Sequence, residues 1–149
     1  MIELLFLLAA AGQAPAEPAL QPLANFVGHC WSGEAPGGSG IDRHCFEAVY
    51  GGQHIRDRHT VVVDGKTVYA GETLYSIENG AIIFTYWNSL GGIGRGTASA
   101  KGAQLRFSGL MRVSPSAQPQ PMNAIWNIVM DGYQVIWPDG TAHLMRRSD

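Results

Sequence analysis

Asp57 and His59 stand two residues apart in His54-Ile-Arg-Asp-Arg-His-Thr-Val-Val-Val63. In a strand, alternate residues share a face, and strand rise puts these two about 6.5–7 Å apart. One face would carry Ile55, Asp57, His59, Val61 and Val63; the other His54, Arg56, Arg58, Thr60 and Val62. The first face is the apolar one, so Asp57 and His59 are expected inside. Buried ionisable groups need partners, and Tyr69, Glu72, Tyr75, Tyr86 and Arg95 are the candidates, depending on register. Three chemistries suit such a set: a polar spot on a cavity wall that orients a ligand, a structural hydrogen-bond network, or an acid–base pair. The opposite face of His54, Arg56 and Arg58 reads as a solvated basic surface.

The two cysteines each follow a histidine, in Gly28-His-Cys-Trp31 and Arg43-His-Cys-Phe46. Two His and two Cys invite a zinc reading. Adjacent strand residues point to opposite faces, however, so if Cys30 and Cys45 face each other, His29 and His44 face away. The CxxC spacing of zinc sites is also absent, and no metal site is expected. No base is placed beside either sulfur, which disfavours a catalytic thiol. A Cys30–Cys45 disulfide remains, closing a loop of about 15 residues and worth roughly 3 kcal/mol in the chain-entropy model. Leu90-Gly-Gly-Ile-Gly-Arg-Gly96 has four glycines in seven residues but lacks the order of a phosphate-cradling loop. It reads as a place where strands bend.

These residues need a frame, and turn chemistry supplies it. Asp64-Gly65, Asn79-Gly80 and Asp131-Gly132 favour two-residue hairpin turns, Pro138-Asp-Gly140 is a tight-turn composition, and Lys101-Gly102 is a weaker turn signal. Between them lie runs rich in Val, Ile, Thr, Tyr, Phe and Trp, which fit a pleated surface. Strands are expected near 26–32, 44–50, 54–63, 67–78, 81–89, 94–100, 103–113, 123–130, 133–137 and 141–146. That is eight to ten strands at hairpin spacing, the pattern of an all-β sandwich or barrel. Only residues 20–26 have room for a short helix. Trp31, Trp87, Trp126 and Trp137 are expected in the core or as barrel plugs, with only one of Tyr86 and Trp87 facing inward.

Composition agrees. Glycine is 19 of 149 residues, well above the roughly 7% usual in globular chains, and the 15% of charged residues falls below the roughly 25% norm. With 46% hydrophobic residues the chain is not disordered, and a net charge of −2 gives no case for nucleic-acid binding. The apolar run from Leu4 to Ala11 is too short to span a bilayer and suits a signal peptide. Residues 1–16 are read as that signal, with Ala14-Pro-Ala16 at its end, 17–24 as an extended leader with two prolines, and 25–149 as one domain. Export to the periplasm or beyond fits a disulfide. No stable membrane insertion is expected, and the oligomeric state is not legible.

Phe26-Val-Gly-His-Cys-Trp-Ser-Gly33 resembles the opening strand of calycin-type barrels, which include lipocalins, fatty-acid-binding-like proteins and nitrobindins. Their Gly and Trp plug the closed end of the barrel. Gly28, Trp31 and Gly33 are spaced one residue longer than the nitrobindin-like G-x-W-x-G, a difference a bulge absorbs. Tyr50-Gly-Gly-Gln-His-Ile-Arg-Asp-Arg-His59, Gly71-Glu-Thr-Leu-Tyr75 and Phe84-Thr-Tyr-Trp-Asn-Ser89 are similar to bacterial exported lipocalin-like proteins. The resemblance covers roughly residues 24–147. It implies a single antiparallel up-and-down barrel around a cavity, with Arg146 or Arg147 stacked on Trp31. Through the nitrobindins it also implies an alternative, haem held by His143. Fold alone names no activity. The expectation is therefore a small apolar or amphipathic ligand held in the barrel, with Asp57, His59, Glu72, Tyr75, Tyr86 and Arg95 on the cavity wall. A small enzyme built on Asp57 and His59 is the third reading.

Overall fold

Left-handed residue pairs cut the chain into hairpins. In the computed structural model, which describes residues 14–149, Asp64 and Gly65 have φ of 49° and 73°, and Asn79 and Gly80 have 50° and 78°. Two consecutive positive φ values are what a two-residue hairpin turn matching the strand twist requires. The first 13 residues of the expected signal segment lie outside the described residues.

Ten strands result: β1 Cys30–Glu34, β2 Ile41–Val49, β3 His54–Val63, β4 Lys66–Glu78, β5 Ala81–Asn88, β6 Ile93–Lys101, β7 Gln104–Arg112, β8 Gln120–Val129, β9 Gly132–Ile136 and β10 Ala142–Arg147. Each pairs antiparallel with the next, and β10 returns to β1 with Ser32 opposite Arg146. The fold is a closed ten-strand antiparallel up-and-down barrel, consistent with calycin-type architecture. Pro121 sits inside β8 without harm, because β8 pairs with β9 only from Ile125 onward and Pro121 faces a neighbour on the β7 side alone. The turn expected at Asp131-Gly132 falls one residue earlier, on Met130 and Asp131. Gly132 belongs to β9, where a Cβ would run into the Met145 carbonyl of β10.

The segment 17–24, expected as an extended leader, is coiled instead, with its helix inside the 20–26 window that has room for one. Pro18–Leu20 forms a 3-10 turn and Gln21–Ala24 a short helix, α1. Two prolines do not forbid this, because proline's fixed φ suits the first turn of a helix, where its missing N–H has no partner to lose. The Glu17 carboxylate accepts a hydrogen bond from the Ala19 N–H at 2.6 Å, and the Glu17 N–H donates to the Gly52 carbonyl at 2.7 Å. Leu20 and Leu23 are then fully buried in one end of the barrel, each contributing about 1.5–3 kcal/mol of burial. The same segment explains why β1 starts at Cys30 and not near residue 26. Phe26 joins the plug, and Gly28, at φ 85°, turns the chain into the barrel wall.

That plug differs from the Trp–Arg arrangement the resemblance implies. Trp31 does point inward, packing edge-on against Phe26 at 5.6 Å and Tyr133 at 5.9 Å between ring centroids. Gly33 lies against the Leu144 backbone, where no Cβ fits. Arg146 is exposed on the outer face, because Met145 takes the inward position of β10; Arg147, the alternative, stands opposite Trp31 in the register but is largely exposed and pairs with Asp149 at 3.0 Å. Phe26 and the helix segment do what the arginine was expected to do.

Outside a polar stretch of β2 and β3, inward positions are mostly apolar, and the outward ones carry charges including Arg43, Arg58, Arg95 and Arg106. Arg56 donates to Glu47 Oε1 on that outer face, from Nε at 2.9 Å and from a terminal guanidinium nitrogen at 2.7 Å. This is the reverse of a lipid-spanning barrel, which is apolar outside. Among the described residues, no helix is long and apolar enough to cross a membrane.

Candidate functional site

The helix segment stoppers only one end of the barrel. The loops after β1, β3, β5, β7 and β9 surround the other end, as an up-and-down meander requires. A cavity of about 340 Å³ lies toward that end. One wall is apolar, with Phe84, Phe107, Met111, Met122, Trp126 and Val135. The opposite wall, from β2 to β4 with Tyr86 of β5, is polar.

Strand alternation builds the polar wall. Asp42, His44 and Phe46 are the inward residues of β2; Ile55, Asp57, His59 and Val61 are those of β3. The register places His44 directly opposite His59, and their rings stack with centroids 4.2 Å apart and planes 16° apart. Asp42 lies one inward position toward the mouth on β2, and Asp57 one toward the plug on β3. The carboxylates therefore flank the imidazoles diagonally. His44 Nδ1–H donates to Asp57 Oδ2 at 2.7 Å, with Asp57 only 1% exposed. Asp42 Oδ1 lies 2.6 Å from His59 Nε2 and 3.5 Å from His44 Nε2. The first contact is close but poorly directed: Asp42 Oδ1 and His59 Nε2 are both buried without an aligned hydrogen bond, as are Asp57 Oδ1 and the Tyr133 hydroxyl.

The charges are mutually supporting. Burial alone would pull the His44 pKa down, but Asp57 and the contacts to both carboxylates outweigh it and push it up to about 10. Burial would raise the Asp42 carboxyl, yet the two imidazoles hold it well below the usual carboxylate range. The Tyr75 and Tyr133 phenols are pushed up by burial, reinforced by the Asp57 charge. Tyr86 is raised by burial and by its hydrogen bond with Tyr69. Gly71, opposite His59 in the register, is what admits the Tyr86 ring: a Cβ there would overlap it.

Four of the six expected wall residues, Asp57, His59, Tyr75 and Tyr86, line the cavity. Glu72 and Arg95 do not. Thr73 and Tyr75 take the inward phase of β4, which turns Glu72 outward, and Arg95 is exposed between the inward-facing Gly94 and Gly96. Of the adjacent aromatics, Tyr86 faces in and Trp87 is 43% exposed. Asp57 and His59 share a face as expected but are not partners: Asp57 serves His44, and His59 meets Asp42. Those two residues of β2 complete the wall, and the sequence reading had not placed them there. A strand expected near 44–50 does not reach Asp42, and the pattern around His44 points to the adjacent cysteine, not to the cavity.

The four-ligand His–Cys set is not assembled. Cys30 and Cys45 are joined as a disulfide between directly opposed residues of β1 and β2, and His29 pairs with Asp149 at 2.9 Å. The bond fits a protein outside the reducing cytosol. A different group can hold an ion: Asp42, His44 and His59 each offer one donor atom, all within 4.8 Å of one another.

His143 of β10 also reaches the cavity, near the mouth, with its ring 6.2 Å from that of Trp137. Burial lowers its pKa, against an upward pull from Asp42. The surroundings do not fit a haem. The volume is at the bottom of the roughly 300–1,000 Å³ range of small-molecule sites, and no Lys or Arg lines the cavity to meet two propionates. No protein-family model matches the chain, and no curated protein matches it.

Proposed function

We propose that the protein is a small-molecule-binding barrel acting in the periplasm or outside the cell, of the lipocalin-like kind. It takes one apolar or amphipathic ligand with its polar end against the β2–β3 wall. The observation that carries this reading is the two-sided cavity of about 340 Å³: aromatic and thioether side chains face a convergent set of Asp, His and Tyr groups. Small-molecule sites combine a mostly apolar enclosure with a few placed polar groups that fix orientation, and barrel interiors of this size hold one such ligand. The volume favours a single-ring or short-chain molecule over a tetrapyrrole. The disulfide supports the compartment.

Native mass spectrometry of protein extracted gently from its own host tests the proposal. The expected result is a non-covalent organic adduct that is lost on denaturation. A bare protein mass in every preparation, together with no enhancement of an environment-sensitive apolar fluorophore, overturns it.

A further inference from the structure

We propose that Asp42, His44 and His59 form a site for one divalent transition-metal ion of the zinc or ferrous class, with an open coordination position facing the cavity. The inference uses the cavity wall and not the identity of any organic occupant, so it stands or falls apart from the ligand reading.

Donor chemistry comes first. Two imidazole nitrogens and one carboxylate oxygen suit zinc and non-haem iron, and three protein ligands with a free position are the pattern of a reactive site and not a closed structural one. Geometry comes second. Metal–ligand bonds of about 2.0–2.1 Å in a tetrahedron place donor atoms roughly 3.3 Å apart. Asp42 Oδ1 and His44 Nε2 stand at 3.5 Å. Asp42 Oδ1 and His59 Nε2, at 2.6 Å, need to part by less than an ångström, which a small turn of the Asp42 carboxylate supplies, and one of the two imidazoles, stacked at 4.2 Å, has to tilt so that both nitrogens aim at the same ion.

Two further observations separate this cluster from an ordinary hydrogen-bond network. Asp42 Oδ1 and His59 Nε2 are buried and face each other without an aligned hydrogen bond, though Asp42 is only 4% exposed. Buried polar atoms are nearly always satisfied, and an ion between these two satisfies both. The supporting shell is also in place. His44 Nδ1–H donates to the buried Asp57 carboxylate, which fixes the ring with Nε2 turned toward Asp42, the carboxylate–histidine–metal arrangement.

The experiment titrates untagged, chelator-treated full chain with Zn²⁺ by calorimetry and with Co²⁺ by visible absorption, where a tetrahedral site gives intense d–d bands. The expected result is one ion per chain. Affinity should fall at least 100-fold in Asp42→Asn and His59→Gln, and 10- to 100-fold in Asp57→Asn, while His29→Ala, on the outer surface, leaves it unchanged. Absence of one-to-one binding by the wild-type chain overturns the proposal without recourse to any variant. So does binding that survives Asp42→Asn and His59→Gln but is lost in His29→Ala, which marks a surface histidine. Native mass spectra separate a metal adduct from an organic one: an organic adduct on a chain that takes no metal refutes this site and leaves the ligand reading intact.

Discussion

Asp57 hydrogen-bonds across the ladder to His44, at 2.7 Å, and not along its own strand to His59. The consequence is two crossed Asp–His pairs on one cavity wall, each made from one residue of β2 and one of β3. Within one strand only the longer Asp42–His44 contact, at 3.5 Å, is made. The β2–β3 register, with His44 opposite His59, creates both crossed pairs.

The pairing predicts a strong asymmetry between inner and outer ion pairs. Removing one partner of a buried pair leaves an uncompensated charge, at about 3–5 kcal/mol. Asp57→Ala should therefore lower the urea-unfolding free energy by about that amount, with Asp57→Asn milder because it keeps a hydrogen-bonding oxygen. Glu47→Ala, which breaks the half-exposed outer contact with Arg56, should stay within about 1 kcal/mol. Equal losses from Asp57→Ala and Glu47→Ala would contradict the crossed-pair arrangement.

The same wall sets a pH profile in chelator-treated protein. Asp42 has a depressed folded pKa, so its contribution is present above its ordinary 3.8 and is lost as pH falls below that. His44 has a raised one, so its contribution is full below 6.5, declines above it and is gone past about 10. Stability from these two groups should be greatest between about pH 4 and 6.5. Thermal melts across pH 3–10 check this. His44→Gln should flatten the alkaline decline, and an unchanged alkaline limb in that variant would remove His44 as its cause.

Part of this was legible in the sequence, and the boundary has physical causes. Asp64-Gly65 and Asn79-Gly80 marked their hairpins because left-handed turn positions select those residue types. Asp57 and His59 were placed inside because the two faces of β3 differ sharply in polarity. On β4 that signal fails: Tyr69, Gly71, Thr73 and Tyr75 alternate with Val68, Ala70, Glu72 and Leu74, and neither set is clearly the apolar one. On β6 the inward residues are Gly94, Gly96 and Ala98, with the Ser108–Gly109 backbone and the Phe84 ring leaving no room for a Cβ at Gly96, so the inner face carries no hydrophobic mark that would turn Arg95 outward. Asp42 was hidden because strand β2 begins at Ile41, directly after a glycine-rich loop. The crossed partners were hidden because register between strands is a non-local quantity, set here by the turn through Tyr50, Gly51 and Gly52, all with positive φ.

Gly71 offers a test of how Tyr86 is held. A methyl group at that position overlaps the Tyr86 ring, so Gly71→Ala must displace a ring whose hydroxyl bonds to Tyr69. Overpacking of this kind costs about 1–3 kcal/mol. The loss should shrink in the Gly71→Ala/Tyr86→Ala double variant relative to the sum of the singles, because the clash is then gone. Additive losses would mean that Gly71 matters for some reason other than room for Tyr86.

The disulfide, by contrast, should matter for stability and not for the site. Cys30–Cys45 bridges residues 15 apart in sequence, and closing a loop of that length is worth roughly 3 kcal/mol. Cys45 immediately follows His44, so the bond lies on the outer side of the same strand that presents the polar wall. His44, however, is positioned from within, by its ladder partner His59 and by Asp57. Those contacts run through β3 and do not involve β1. The Cys30→Ser/Cys45→Ser chain should therefore lose about 3 kcal/mol in denaturant unfolding, while its Co²⁺ spectrum and apolar-probe binding change by no more than a few-fold. Loss of both on removal of the bond would show that β1–β2 pairing, and not the β2–β3 register, holds His44 in place.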